Sequence, residues 1–194
     1  MLWQTGYLTF SGCNRRVGER LHYGLTYPNL EVQIALNDQR LKVFLPDALQ
    51  AEEAGRSLWE LLVGNNLNGL EHHFRSLFAS IPHQWYTKNH LGDYEGYYAS
   101  VFYSHFAALG LDLQPEDRTS QGRIDLTLRF QRQIYLFEFQ LVERFPHESP
   151  LAQIHQRGYV EKFLGEGIPV YCIRIRFSQQ LRNILEWQQE TRIA

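Results

Sequence analysis

Four polar side chains in one short stretch have types and spacing suited to phosphate and metal chemistry: Arg123, Asp125, Glu138 and Gln140, within GRIDLTLRFQRQIYLFEFQ. Gly122 to Phe130 alternates in character and Ile134 to Val142 is strongly apolar, so the stretch reads as two strands. Gln131-Arg132 between them has room only for a tight antiparallel turn. Pairing Phe130 with Gln133 and counting outward sets Asp125 opposite Glu138 and Arg123 opposite Gln140. Alternation then gives one apolar face, with Ile124, Leu126, Leu128, Phe130, Tyr135, Phe137, Phe139 and Leu141. The four polar residues gather on the other face, at the end away from the turn. Facing carboxylates repel unless something positive lies between them. Arg123 is one candidate, which would make an ordinary surface ion pair. A hard divalent cation is the other, since Mg²⁺ is commonly held by one or two carboxylates with water completing its shell. Gln-Arg is a poor turn dipeptide, and a slip of one residue would scatter the group.

The surrounding elements must carry this hairpin. Residues 93–109 predict a helix whose Tyr98, Val101, Phe102, His105, Phe106 and Leu109 form an apolar stripe, with Glu95 in the first turn, where a carboxylate suits the helix dipole. Leu111 to Leu113 adds a short strand. Ser149-Pro150 opens a helix running to Leu164, Pro169 to Phe177 is a buried strand, and Ser178 caps a last helix over 179–190 with Leu181, Ile184, Leu185 and Trp187 inward. The strand pair across the 149–164 helix should be parallel. Toward the N-terminus, Leu2 to Phe10 and Leu21 to Tyr27 predict a strand pair, followed by helices at 30–36, 46–63 and 66–79. His72 and His73 diverge around the helix axis and offer no ligand pair. His105 reads as a core or cleft histidine and Tyr159 as packing.

The strand G-R-I-D-L, the short turn and the strand ending F-E-F with a polar residue after it resemble the PD-(D/E)XK nuclease superfamily. More narrowly they resemble the nuclease domain at the C-terminus of a group of bacterial AAA-ATPase-like proteins. LWQTGYLTF, LTYPNLEVQ, LFASIPHQWY, YEGYYASVFY and LAQIHQRGYVEKF match the same group in the same order, over nearly the whole chain. One position departs: the family motif ends in Lys, and Gln140 stands there. The resemblance implies an α/β fold, an αβββαβ restriction-endonuclease-like core of mixed sheet flanked by helices over residues 89–194. A small winged-helix-like α+β segment over 1–88 precedes it. It implies Mg²⁺ or Mn²⁺ held by Asp125 and Glu138, with Glu95 binding directly or through water, and Gln153 beside the site. Arg157, one turn beyond Gln153 on the same face, either restores the charge that Gln140 lacks or belongs to the exposed polar face of an amphipathic helix. Arg118 and Arg123 flank the strand end, where they could meet phosphates.

The expected activity is Mg²⁺-dependent hydrolysis of phosphodiester bonds in DNA. The alternative is a catalytically degenerate nuclease fold that binds nucleic acid or serves as the partner of an ATPase. With 194 residues, 44% of them hydrophobic, the chain can bury one substantial core. A formal net charge of -2 gives no global field for nucleic acid, so such contacts must be local. No G-x-x-x-x-G-K-[ST] loop occurs, so the ATPase of the resembling proteins would be a separate chain or a lost one. Two cysteines without a metal-ligand pattern, and no leader or long apolar run, suit a cytoplasmic protein with no membrane partner.

Overall fold

A computed structural model describes residues 4–17, 20–44, 47–81, 95–119, 122–144, 159–163 and 165–193. The N-terminal hairpin pairs β1 (Thr9–Val17) with β2 (Arg20–Thr26), the register shifting between Phe10 and Asn14. The stretch between the two expected strands is therefore mostly strand itself. Three helices follow, α1 (Leu30–Phe44), α2 (Ala48–Val63) and α3 (Leu67–Ser80). Each starts on a side-chain cap: Asn29, Asp47 and Asn66 accept the backbone N–H of Val32, Leu49 and Gly69, all at 2.9 Å. Then come α4 (Glu95–Ala108), β3 (Asp112–Thr119), β4 (Gly122–Phe130), β5 (Gln133–Leu141), a 3₁₀ turn (Tyr159–Phe163), β6 (Pro169–Ser178) and β7 (Asn183–Ile193).

Strands β3 to β7 form one mixed sheet in the order β3-β4-β5-β6-β7. Phe130 pairs with Gln133 as the sequence predicts, and β5 runs parallel to β6 while every other pair is antiparallel. One face of the sheet is covered by α4 and, outside it, α3. Phe102 of α4 lies 5.0 Å from Phe139 and 5.9 Å from Phe137, and Phe74 of α3 stacks on Phe102 at 3.7 Å. Leu58, Leu70, Phe74, Tyr98, Phe102 and Phe177 share a single apolar cluster, so the helices before residue 82 complete the core of the sheet that follows. A smaller cluster on the other face joins Ile124, Ile134, Leu136, Val170 and Cys172 to Tyr159 and Phe163 of the 3₁₀ turn.

Two expectations are corrected. The C-terminal segment is strand β7, not a helix: Leu181 and Leu185 are exposed, Ile184 is buried, and Trp187 packs at the edge of the core. NILEWQQE is rich in good helix formers, but ladder pairing with β6 across its length outweighs that weak preference. The simple alternation of β4 also fails. Leu126 belongs to the helix-covered face but Ile124 to the opposite one, and on β3 Pro115 and Asp117 part in the same way. Glu116, between them and facing Asp125, has a left-handed φ of 50°. That left-handed residue lies where the β3–β4 ribbon changes face, and Asp125 opposite it lines the helix-side cavity.

Candidate active site

The β4–β5 ladder ends at Leu126 and Phe137, and beyond it the strands part. Strand β5 continues to Leu141 against β6 alone, leaving the N–H groups of Phe139 and Leu141 facing the gap. Unmade bonds at buried backbone are costly, and both are met by carboxylates. Asp125 Oδ2 accepts the N–H of Phe139 at 2.9 Å, and Glu95 Oε1, from the first turn of α4, accepts that of Leu141 at 3.3 Å. Two of the acids singled out in the sequence thus meet in one notch. They border a cavity of about 380 Å³ between α4 and β3–β4, lined also by Ser100, Tyr103, Glu116, Arg123 and Phe139.

Glu138 and Gln140 flank Phe139 on the same stretch of β5, but on the other face from α4, in line with Ile134 and Leu136. The expectation that Asp125, Glu138 and Gln140 share one face is therefore not met. The reason is the change of face at Glu116. Asp125 and Glu95 line the cavity on the helix side, and Glu138 and Gln140 lie on the other face of β5. Gln140 is buried and its Oε1 accepts Nη2 of Arg174 at 2.7 Å, also buried. Arg174 is the register partner of Glu138, and Arg176 that of Gln140. Arg176 donates to Glu186 on β7 at 3.0 and 3.1 Å. This face of β5–β6 is thus apolar near the hairpin turn and polar at the open end.

Of the residues expected to meet nucleic acid, Arg123 is exposed at the mouth of the cavity and pairs with Glu116 at 3.1 Å. Arg118 is exposed on β3, its carbonyl accepting Lys162 at 3.2 Å. Gln153 and Arg157, and the helix expected to hold them, lie outside the described residues. Among the described residues, no group of three or more His, Cys, Asp or Glu side chains stands close enough to hold a metal ion. The donor set at the notch is all hard carboxylate oxygen, which suits Mg²⁺, an ion that commonly takes two carboxylates and fills its shell with water and phosphate oxygens.

Arg174 escaped the sequence reading, although C-I-R-I-R-F alternates plainly enough to put Arg174 and Arg176 on one face of a strand. A second missed pair is His73 on α3 and His105 on α4, with Nε2 atoms 2.8 Å apart. Burial lowers His73 to about 4 and, with the neighbouring His73 adding to the effect, His105 to about 3. Both rings are neutral near pH 7, one Nε2 donating to the other. Tyr159 is buried packing, as expected, and its hydroxyl donates to the Arg123 carbonyl at 2.9 Å. Cys172 is a buried free thiol pushed up to about 12, chiefly by desolvation.

A family model described as the PD-(D/E)XK nuclease superfamily matches residues 93–187, the segment from α4 into β7. The chain is 44% identical over 191 residues to a protein of Azotobacter chroococcum mcd 1, named only as an uncharacterized protein in the vnfD 5' region. The match takes in 98% of this chain but about 37% of that relative's length. No solved structure matches. No helix among the described residues is long and apolar enough to cross a membrane.

Proposed function

From the premise that residues 93–187 belong to the PD-(D/E)XK nuclease superfamily, we propose that this chain is a Mg²⁺-dependent nuclease acting on DNA, with Gln140 where the motif carries Lys. Nucleases of this superfamily typically use divalent metals. The observation that carries the reading is the notch at the open end of β5. Asp125 and Glu95 are each anchored there by a backbone N–H, and Glu138 and Gln140 alternate with Phe139 and Leu141 along the same strand.

Asp125 and Glu95, which share the notch, would hold the ion, with Glu138 contributing directly or through water. Bound there, a divalent ion lowers the pKa of a coordinated water and polarises a phosphate oxygen. The chain's own groups do the rest. The Phe139 N–H fixes the Asp125 carboxylate, so the ligand is positioned before substrate arrives. Gln140 has amide hydrogens and an oxygen with which to orient water, but it neither carries charge nor takes up a proton. The water's proton would pass to solvent or to a carboxylate that lines the cavity. The new P–O bond forms as the bond to the leaving oxygen breaks, and solvent protonates that oxygen. Arg123 at the cavity mouth is placed to meet a flanking phosphate once it exchanges Glu116 for it.

Cleavage of plasmid and single-stranded DNA in Mg²⁺ and Mn²⁺ tests this directly. Asp125→Asn and Glu138→Gln should each lower the rate about 100-fold or more, on the scale of losing one preorganised electrostatic group. Equal cleavage by wild type and both variants would remove the notch from the chemistry. The second reading, a binding or partner module, draws on the hairpin. Tyr7, Phe10, Tyr23 and Leu25 are 41–51% exposed there, and Phe10 and Tyr23 lie 5.2 Å apart. That is an apolar surface of the kind that covers partners. A protein that binds DNA and shows no cleavage in either metal would favour it.

A further inference from the structure

We propose that Arg174 is a positioning residue of this site, holding the Gln140 amide so that its N–H donors face the reacting phosphate and water. The inference rests on the nuclease reading and identifies where the charge missing from position 140 is found. Arg174 lies on β6, beside Glu138 in register, and is 4% exposed; Gln140 is 6% exposed. A guanidinium can only donate, so the atom it meets must be the amide oxygen, and Nη2 lies 2.7 Å from Oε1. With Oε1 held, the two Nε2 hydrogens are turned away from Arg174. An amide can rotate to present either end, but here the choice is made by a buried cation.

The hydrogen bond also polarises the amide. Drawing electron density toward Oε1 makes the Nε2 hydrogens better donors, the more so in a poorly solvated site. An ammonium at position 140 would present positive hydrogens directly. The Gln140–Arg174 pair presents a polarised N–H backed by a full charge one strand away. Neighbouring charges do not duplicate the arrangement, since Arg176, two residues on, is paired with Glu186.

A buried Arg–Gln pair with a purely structural role makes different predictions. In that case removing Arg174 lowers stability alone, because the Gln140 oxygen is left buried without its donor. Arg174→Met should then leave kcat unchanged. Under the proposal, Arg174→Met also lowers kcat about 30-fold or more on a DNA substrate, with KM nearly unchanged because the guanidinium is buried; the melting temperature falls in either case. Arg174→Lys, which can still donate to Oε1, recovers most of the loss.

The reciprocal variant guards against a folding artefact. Gln140→Lys sets two buried cations side by side, so it should melt lower than wild type and cleave no faster. Adding Arg174→Met to it should restore the melting temperature and raise cleavage to the wild-type rate or above. Wild-type kcat in Arg174→Met, or faster cleavage by Gln140→Lys with no further gain in the double variant, overturns the proposal alone. No cleavage by the wild-type protein in Mg²⁺ or Mn²⁺ overturns the nuclease reading and this proposal with it.

Discussion

The two ends of β5 are built on different principles. Near the turn, residues Ile134 to Phe137 are hydrogen-bonded on both edges, by β4 and β6, and are apolar on both faces. From Glu138 to Leu141 one edge is open, its N–H groups are capped by carboxylates, and one face turns polar. The first half is held by burial and ladder bonds, the second by a few side-chain contacts. Under the proposed function, stability and chemistry fall to separate halves of one strand. Substitutions in one half should cost folding, and in the other half activity.

The largest effect on stability should come from the closed half. Phe137 is fully buried and touches Phe102 and Phe106 at 5.9 and 5.5 Å. Phe137→Ala should destabilise by about 3–5 kcal/mol, read by denaturant unfolding. By contrast Glu95→Gln keeps an oxygen for the Leu141 N–H, so it should cost about 1 kcal/mol or less. A loss from Glu95→Gln as large as that from Phe137→Ala would erase the distinction.

A smaller effect, tied to pH, should arise where α3 meets α4. His73 and His105 are depressed to about 4 and 3 in the folded protein, against about 6.5 unfolded. The unfolded state therefore binds more protons between those limits, and stability falls as pH drops from about 6.5 toward 4. Each group contributes at most about 1.4 kcal/mol per pH unit. Against that background, His105→Phe should flatten the acid limb of a melting-temperature profile, and an unchanged limb would exclude the pair as its cause.

The smallest effect is at the turn that starts the closed half. Gln131 has a left-handed φ of 52°, a conformation that costs a non-glycine residue about 1–2 kcal/mol. Gln131→Gly should stabilise by about 1 kcal/mol, less the entropy that glycine loses. It should leave cleavage untouched, since the notch lies at the other end of the strand. A change in cleavage rate would link the two halves.

Legibility in the sequence follows the same division. The turn register, the parallel β5–β6 pair and the aromatic stripe of α4 could be read because two-residue and helical periodicities are local signals. Asp125 and Glu95 could be named, but the side from which Asp125 enters could not. It depends on Glu116 adopting a left-handed backbone, and nothing in P-E-D marks Glu116 for that conformation. Strand β7 was hidden because its residues favour helix locally and only the β6 edge makes them a strand. Arg174 was legible in the alternation of I-R-I-R, but its place beside Glu138 and Gln140 came only with the parallel register. Local pattern reveals elements; chemistry here depends on pairing between distant segments.

The central claim, that the open half of β5 assembles a metal-dependent site around Asp125, is tested most directly by Mn²⁺ titration in a calorimeter. Asp125→Asn is the right comparison, because Asn Oδ1 can still accept the Phe139 N–H while the charge is gone. The wild-type protein should bind saturably, and Asp125→Asn should lose about tenfold or more in affinity at equal melting temperature. Equal Mn²⁺ affinity in the two proteins would contradict that claim.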